Sequence, residues 1–454
     1  MKTHSLSADE KRERNYKKMT ETGVAKLILT LGIPTTVSML ITNIYNMADT
    51  YFVGSLGESA QAATGILFTL QAIIQAIAFM LGHGSGTYVS KQLAENDADG
   101  ASGYVSSAFF LGGAFGLLLT AVGFIFGTPF LRLLGSTDTI LPYAEDYGMW
   151  VLISAPFMIC SLIMNNNLRY EGKAVYAMAG LTTGGVLNIL LDFIFVKIVP
   201  LGVFGAGMAT AISQIVSFAI LFVMYKFKAQ SYISPKKISR SARLYGEVIK
   251  VGLPSLLRQG LNSISNGILN NVTKPYGDGA IAAMSIVNKY SSFVVCVGLG
   301  IGQGFQPLAS FNYSVKMYDR VKKGLLFTML IGFLLVGGLA VSGLIFAEKI
   351  VWLFQKSPEV IALGAPAVRY ASIGSLFLAL SIPTNMLYQS TRKAVQASIL
   401  SLMRSGLAFI PLLIIFSNLW GFTGIALSQP VADVVSALAT IPFMVVFLRK
   451  KNFD

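Results

Sequence analysis

The chain has 454 residues, of which 54% are hydrophobic and only 12% are charged, and its mean hydropathy is +0.64. Soluble proteins carry about 25% charged residues, so this composition excludes an ordinary soluble domain. The formal net charge of +14 would indicate a nucleic-acid partner in a soluble protein, but the positions of the basic residues, described below, predict no such partner.

Apolar runs of roughly 20 residues follow one another along the chain, and this is the length that a helix needs to cross the hydrocarbon core of a membrane. They predict an all-α polytopic membrane protein with twelve transmembrane spans. In chain order, the spans lie at residues 25–51, 61–82, 104–126, 143–166, 175–196, 202–225, 247–270, 280–303, 323–346, 365–388, 395–417 and 421–447.

These spans divide the chain into five parts. A tail of residues 1–24 precedes an N-terminal lobe, residues 25–225, which contains spans one to six. A polar linker, residues 226–246, leads to a C-terminal lobe, residues 247–447, with spans seven to twelve. Residues 448–454 form a second tail.

Lysine and arginine are concentrated in the tail segment "KRERNYKK", in the linker, in residues 316–323 and in the final "RKK". With the N-terminus inside, all four lie on one side of the membrane, and the positive-inside rule places both termini in the cytoplasm. Topology therefore explains the basic charge, together with contacts to anionic membrane lipids. The hydrophilic first twenty residues lack a small-residue cleavage site and do not resemble a secretory signal peptide.

Cysteine and histidine are too rare to indicate a disulfide framework or a metal centre. Cys160 and Cys296 both fall within predicted spans and are interpreted as small buried hydrophobic residues. The only histidines are His4 and His83.

The two lobes match when the sequence is shifted by 220 residues. Pro34 in "LGIPTTV" then falls on Pro254 in "VGLPSLL", and "GHG" at 82–84 falls on "GQG" at 302–304. Two six-helix halves enter the membrane in the same sense, which predicts a pseudo-two-fold axis along the membrane normal and a cavity between the lobes. Channels and scramblases are also built from repeats, but this plan is most typical of a secondary transporter that works by alternating access. No P-loop motif is present in the sequence, so no ATPase of its own is expected.

Asp49 in "YNMADTYFVG" and Asp192 in "VLNILLDFIFV" are acidic residues of predicted spans one and five. Glu145 and Asp146, at the start of span four, are interpreted as interfacial. The counterparts of Asp49 and Asp192, 220 residues later, are Leu269 and Leu412. A carboxylate within a membrane is costly and is a functional-site candidate by default. A structural need common to both lobes would have placed an acid in both.

Other polar residues share helix faces with these acids. Tyr45 is four residues before Asp49, and Asn188 is four residues before Asp192, so each pair lies on one face. Thr210 of span six adds a hydroxyl group, and Pro34 is expected to bend span one as a hinge.

If spans one, five and six surround a pocket, it holds two carboxylates, an amide oxygen and a hydroxyl. This all-oxygen set suits a hard cation such as Na⁺. It also suits a proton, because two poorly solvated carboxylates repel each other. The alternatives are an acid solvated at the membrane interface for Asp49, a purely structural role for Asp192, a packing hydrogen bond for Asn188, and a hydroxyl bonded to its own helix for Thr210.

Further charged residues fall within the spans of the second half, among them Arg258, Lys289, Arg404 and Asp433. An Arg258–Asp433 pair between spans seven and twelve is predicted as a structural contact, in preference to a role in substrate binding. In the first half, Tyr147 begins span four and is expected to face the same cavity as Tyr45.

Taken together, these motifs resemble the multidrug and toxic compound extrusion (MATE) family, with a leaning towards its MepA-like and DinF-like bacterial branches. The resemblance covers nearly the whole chain and rests on the twelve spans, the duplicated halves, "GIP" and "GLP", "Y-x-x-x-D", "N-x-x-x-D" and "GAGMATAIS". It implies a multi-pass protein of the cell membrane that exports drug-like, often cationic compounds in exchange for Na⁺ or H⁺. No cofactor is implied, and one chain would be functional as a monomer.

The resemblance also implies the site. The coupling cation, with Na⁺ as one possibility, would bind at Asp49, Asn188, Asp192 and Thr210, and Tyr45 and Tyr147 are candidates for the substrate cavity. The NorM-like branch places cation-binding acids in spans seven and ten, and the segments "VGLPSLLRQGLNSISNGILNN" and "YASIGSLFLALSIPTNMLY" of these spans hold no acid here. A cation site of that kind is therefore not expected in the C-terminal lobe.

The alternative function is a flippase for lipid or lipid-linked oligosaccharide of the same superfamily. It would need a cationic groove, for which Arg258, Lys289 and Arg404 are candidates, and flippases often have fourteen spans. An enzyme is disfavoured, because no nucleophile–base pair or metal motif stands out among the spans.

Overall fold

A computed structural model describes residues 8–450 of the chain, which are helical apart from short turns and the linker, with no β-strand in that range. The prediction on His4 lies outside the described residues, as do residues 1–7 and 451–454 of the two predicted tails.

Eight α-helices form the first half. They are α1 Ala8–Glu21, α2 Val24–Gly54, α3 Glu58–Ala94, α4 Ala98–Ile125, α5 Gly127–Leu133, α6 Leu141–Tyr170, α7 Ala174–Phe193 and α8 Gly202–Lys228. A π-helical turn, Ile194–Ile198, extends α7 towards α8. The six long helices α2, α3, α4, α6, α7 and α8 correspond to predicted spans one to six.

Seven α-helices form the second half. They are α9 Ala242–Thr273, α10 Asp278–Ser314, α11 Tyr318–Phe354, α12 Pro358–Ser375, α13 Leu378–Ser390, α14 Ala394–Leu402 and α15 Phe409–Arg449. Helices α12 and α13 are bent by 48° relative to each other and together cover predicted span ten. A π-helical turn, Met403–Ala408, joins α14 to α15.

Within residues 8–450, nine helices are long and apolar enough to cross a membrane, or ten when the bent pair α12–α13 is counted as one span. The difference from twelve predicted spans has two causes. Helix α9, at span seven, is made polar by residues such as Arg258 and Asn262. Spans eleven and twelve form one helical stretch, which is broken at Gly421, where φ is 59°.

The backbone repeats with the same 220-residue shift as the sequence. Three pairs of residues with positive φ recur at this spacing: Gly57 with Gly277, Asn96 with Lys316, and Gly172 with Arg392. A buried hydrogen bond recurs as well: Asn165 Nδ2 donates to the Ala177 carbonyl at 2.8 Å, and Asn385 Nδ2 donates to the Ala397 carbonyl at 2.7 Å. The halves therefore share turn geometry as well as helix order.

The chain forms two compact units. The N-terminal unit contains Val37–Leu256 and the N-terminal residues up to Thr22, and the C-terminal unit contains Gly23–Thr36 and the chain from Leu257 onward. Helix α2 thus changes unit two residues after Pro34, and α9 changes unit two residues after Pro254. Both prolines lie inside their helices, where each removes a backbone hydrogen bond.

Close helix contacts hold the N-terminal unit together. Lipid tails are as apolar as leucine, so helices in a membrane associate through close packing more than through the hydrophobic effect. A Cβ atom at Gly116 of α4 would lie 2.4 Å from the Cα atom of Pro156 in α6, so these helices can meet only because position 116 lacks a side chain.

The linker is bound to the N-terminal unit by backbone hydrogen bonds. Three serines of α4 accept them: Ser102 from the Tyr232 amide at 3.0 Å, Ser106 from the Ser234 amide at 3.0 Å, and Ser107 from the Ser239 amide at 2.9 Å. The buried Glu171 carboxylate accepts a further bond from the Gln230 amide at 2.6 Å. The linker is therefore an ordered part of this unit.

Candidate functional site

Five polar side chains come together inside the N-terminal unit. We call them the acidic cluster: Asp49 on α2, Tyr147 on α6, Asn188 and Asp192 on α7, and Thr210 on α8. Asp192 is 0% exposed and Asp49 is 3% exposed. The carboxylates are therefore enclosed by protein, and the predicted alternative of a solvated interfacial Asp49 does not describe this structure.

A glycine lets α2 approach α7 at the cluster. A Cβ atom at Gly185 would lie 2.8 Å from Cγ2 of Ile41 and 3.0 Å from Cδ1 of Tyr45. Real Cβ atoms essentially never come within 3.0 Å of such neighbours. The short helix-to-helix distance that brings Asp49 towards Asn188 and Asp192 therefore depends on Gly185.

Hydrogen bonds link four members of the cluster in one direction. Tyr147 Oη donates to Asp49 Oδ2 at 2.7 Å and lies 3.1 Å from Thr210 Oγ1. Asn188 Nδ2 donates to Thr210 Oγ1 at 3.3 Å. A hydroxyl group has a single proton, so the Tyr147 proton goes to Asp49, and the Thr210 hydroxyl is left to donate to Tyr147. The order of donation is Asn188, Thr210, Tyr147, Asp49.

Four buried oxygen atoms of the cluster have no hydrogen-bond partner: Asp49 Oδ1, Asn188 Oδ1, and both carboxylate oxygens of Asp192. The two carboxylates are also close enough for their charges to interact. Leaving a buried charge uncompensated costs about 3–5 kcal/mol. A hard cation or a proton fits this set, because the free atoms are all acceptors and two of the groups can be ionised.

The sequence-predicted residues Asp49, Asn188, Asp192 and Thr210 are thus brought together. The Thr210 hydroxyl forms hydrogen bonds with Tyr147 and Asn188 on neighbouring helices. The predicted alternative, a hydroxyl bonded to its own helix, does not describe these contacts. The sequence predicts Tyr147 as a cavity residue, and the structure shows that it also donates a hydrogen bond to Asp49.

Tyr45 is half-buried beside the cluster, and the Gln214 side chain is close to its hydroxyl group. Sequence reasoning missed Gln214. Its position four residues after Thr210 on α8, and therefore on the same helix face, was the available signal.

One prediction on the second half is wrong. Asp433 pairs with Arg404, with Arg404 Nε 2.8 Å from Asp433 Oδ1, and not with Arg258 as predicted. Arg258 Nη1 donates to Asn385 Oδ1 at 3.3 Å. Arg404 takes the acid because it lies on the π turn Met403–Ala408, which packs against the helix α15 that carries Asp433.

The remaining sequence candidates have structural contacts. Cys160 is buried and Cys296 is half-buried, and neither forms a disulfide. His83 lies 2.9 Å from Ser255 Oγ through Nδ1 and 3.2 Å from Arg169 Nη2 through Nε2. Residues 8–450 contain no group of three His, Cys, Asp or Glu side chains placed to hold a metal ion.

A model of the MatE family matches residues 34–194 and 254–415, and the two matched segments begin at the paired prolines of the repeat. The chain belongs to the MatE family. The predicted family and the all-α polytopic fold are thereby confirmed. This MatE protein is a multi-pass membrane transporter and not an enzyme.

Relatives extend over nearly the whole MatE chain. It is 28% identical to the multidrug export protein MepA of Staphylococcus aureus over 439 residues, 94% of each chain. It is 26% identical to MepA of Staphylococcus haemolyticus over 438 residues, 95% of each chain. Among solved structures, it resembles an outward-facing multidrug resistance MATE family transporter of the MOP superfamily, with a TM-score of 0.90, 23% identity and coverage of 97% of this chain and 99% of that one.

Proposed function

We propose that this chain is a secondary active multidrug antiporter that exports drug-like, often cationic organic compounds in exchange for H⁺ or Na⁺. The observation that carries the proposal is the acidic cluster, with three carboxylate oxygens and one amide oxygen that are buried and unpartnered. The name of the relatives, multidrug export protein MepA, supports the export of drugs. The coupling ion is a substrate of the transporter, and the proposal requires no cofactor.

The coupling cation binds in the N-terminal unit at Asp49, Asn188, Asp192 and Thr210. Each carboxylate oxygen of Asp192 and the free oxygens of Asp49 and Asn188 are available to it. The Tyr147 hydroxyl donates its proton to Asp49 Oδ2, and the Thr210 hydroxyl donates its proton to Tyr147. Neither proton is therefore bonded to the four free oxygens. The cation or proton compensates the buried charge that otherwise destabilises the cluster.

Binding of the cation changes how the helices of the cluster hold each other. Hydrogen bonds to an ionised acceptor are roughly twice as strong as those between neutral groups. Neutralising Asp49 therefore weakens the Tyr147–Asp49 bond, which links α6 to α2. Pro34 is the hinge of this movement, because α2 lacks a backbone hydrogen bond there and changes compact unit two residues later.

Drug and coupling cation bind antagonistically. An organic cation is attracted by the ionised carboxylates and by the aromatic faces of Tyr45 and Tyr147, and it loses the carboxylate charge when the coupling cation neutralises it. Reciprocal coupling follows, since a ligand that weakens the binding of another is weakened by it to the same extent. Alternating access then carries the two in opposite directions. We propose that both termini are cytoplasmic and that one chain suffices for transport.

The test uses purified protein in sealed liposomes with ethidium as the transported cation, and a pH gradient or a Na⁺ gradient imposed one at a time. We expect one gradient to drive ethidium transport and to name the coupling ion. Asp192→Asn should abolish this transport, whereas Asp146→Asn should retain it. Asp146 is the matched control because it is an exposed acid on α6 next to Tyr147.

Two results would overturn the proposal. Undiminished gradient-driven transport by Asp192→Asn would show that the acidic cluster does not couple the ion. Transport driven by neither gradient, in folded protein, would favour the flippase alternative.

A further inference from the structure

A break in the helix recurs where predicted spans three and nine end. At Phe126, between α4 and α5, φ is −116° and ψ is 25°. At Phe346 of α11, 220 residues later, φ is −105° and ψ is 18°. A short helical segment follows each break: α5, Gly127–Leu133, in the N-terminal unit, and residues 347–354 of α11 in the C-terminal unit. We call these two the end segments.

Each end segment buries one residue and exposes another at matching positions. Leu131 and its counterpart Val351 are buried in the hydrophobic core of their own units. Two residues later, Leu133 is 82% exposed and Leu353 is 75% exposed. The large apolar residues at and just before the breaks are exposed as well: Ile125, Phe126, Ile345 and Phe346. Single exposed leucines are normal, but a contiguous apolar surface at the same place in both repeats indicates a partner.

A polar contact ties each end segment to the helix of the next span. Thr128 Oγ1 of α5 donates to Glu145 Oε1 of α6 at 2.6 Å. At the counterpart of position 128, Glu348 Oε1 accepts a hydrogen bond from Arg369 Nη2 of α12 at 2.9 Å. The residue types differ between the halves, but the connection is the same. With one buried residue and one polar contact, each segment holds its exposed apolar side chains in place.

The second end segment has the composition of a helix at a membrane surface. Lys349 Nζ lies 5.6 Å from the centre of the Phe346 ring, and Lys356 Nζ lies 5.0 Å from the centre of the exposed Trp352 ring. Tryptophan is enriched where a membrane meets water. Lysine lays its apolar stem along such a surface and keeps its ammonium group in the polar layer. Aromatic rings beside ammonium groups therefore fit the zone between acyl chains and headgroups.

We propose that the two end segments are membrane-surface anchors whose partner is phospholipid at the boundary between headgroups and acyl chains. Helices of this kind bury their apolar face about 5–10 Å into that boundary. Lipid is the partner because each segment continues directly from a span. The exposed leucines of these spans, such as Leu117 on α4 and Leu334 on α11, face acyl chains when the helices cross a membrane. The proposal concerns each unit by itself and does not depend on ion coupling.

Depth-dependent quenching of a fluorescent label tests the proposal. The full-length protein, with Cys160 and Cys296 replaced by alanine, carries one introduced cysteine labelled with the dye NBD and is reconstituted in phosphatidylcholine liposomes. The lipids carry a nitroxide either close to the headgroup or close to the end of the acyl chain, and iodide is the quencher in water. No ion gradient is applied, so a failure of the antiport proposal would leave this measurement unaffected.

Leu133→Cys and Leu353→Cys place the label on the end segments. Two matched controls mark the limits of depth: Leu334→Cys is exposed in the middle of predicted span nine, and Asp138→Cys is exposed in the turn between α5 and α6. We expect a larger loss of fluorescence at both end segments with the nitroxide near the headgroup than with the nitroxide near the chain end. Leu334→Cys should show the reverse order, and Asp138→Cys should respond only to iodide. All four positions are exposed, and gel filtration confirms that each variant is folded.

Three results would overturn the proposal. Quenching of the end-segment labels by iodide alone, as expected for Asp138→Cys, would place the segments in water. Stronger quenching by the nitroxide near the chain end, as expected for Leu334→Cys, would make the segments part of the spans. Blue-shifted NBD emission that no quencher reduces would mean that another protein chain, and not lipid, covers this surface.

Discussion

Replacing Asp192 by asparagine should remove the stabilisation of the protein by the proposed coupling cation. Asp192 is 0% exposed, and neither of its carboxylate oxygens has a hydrogen-bond partner. The substitution keeps the size of the side chain and removes one of the two charges of the acidic cluster. It therefore tests the charge of the site without opening a cavity.

The expected magnitude follows from the attraction between two unit charges. At about 4 Å and an effective dielectric constant of about 20, it is about 4 kcal/mol. Each 1.4 kcal/mol changes a dissociation constant tenfold, so the variant should bind the cation up to about a thousandfold more weakly. At a cation concentration of about 100 times the wild-type dissociation constant, the wild type gains about 2.7 kcal/mol of stability, and the variant gains about 0.06 kcal/mol.

Thermal melting of the purified protein in detergent, with and without the cation, measures this difference. A change of 1 kcal/mol shifts the midpoint by about 2–4 °C for a domain of 150–250 residues, so the cation should raise the wild-type midpoint by about 5–10 °C and leave the variant almost unchanged. Added Na⁺ at constant pH tests one ion, and a lower pH at constant Na⁺ tests the other. Asp146→Asn serves as the control. A cation-induced shift in Asp192→Asn as large as in the wild type would refute the reasoning.

Three further substitutions test the surroundings of the cluster. Tyr147→Phe removes the donor to Asp49 and should cost about 1.5–3 kcal/mol of folding stability, seen as a lower melting midpoint; an unchanged midpoint would mean that this bond contributes little. Pro34→Ala should stabilise α2, because a proline inside a helix costs about 3 kcal/mol. The substitution should also slow gradient-driven ethidium transport while ethidium binding stays unchanged. A wild-type transport rate would exclude a hinge role. Gly185→Ala should destabilise the protein by about 1–3 kcal/mol through overpacking and weaken the cation-induced shift. Gly65→Ala, where a Cβ atom meets nothing within 4 Å, should do neither, and equal effects of both substitutions would contradict the close approach at Gly185.

The sequence predicts the helices and the repeat because both depend on local chemistry. Apolar runs determine where helices can cross a membrane, and a 220-residue shift relates Pro34 to Pro254 without a gap. Helical spacing of four residues identifies the pair Asn188 and Asp192 on one face of α7. The gathering of these residues with Asp49 and Thr210 could be expected only from the family resemblance, because it depends on which helices are neighbours.

Details that depend on helix rotation could not be predicted. The direction of hydrogen bonding from Asn188 to Asp49 requires the rotamers of Thr210 and Tyr147. The Arg404–Asp433 pair depends on the π turn Met403–Ala408. A π turn contains one more residue than an α-helical turn, so the residues after it lie on a different face of the helix. Residue types do not show where such a turn occurs.

Comparison of the two halves indicates what the buried charges are for. Backbone features that the fold needs, such as the positive φ of Gly57 and Gly277, recur in both halves. Asp192 does not recur, since its counterpart is Leu412, and the fold of the second half forms without it. A buried acid without a hydrogen-bond partner lowers stability, and a repeat that forms with leucine shows that the helix pair does not need the acid. Its cost is therefore not offset by the helix pair itself, and we propose that a bound cation or proton compensates it. Asp433 differs in this respect, because Arg404 already compensates its charge.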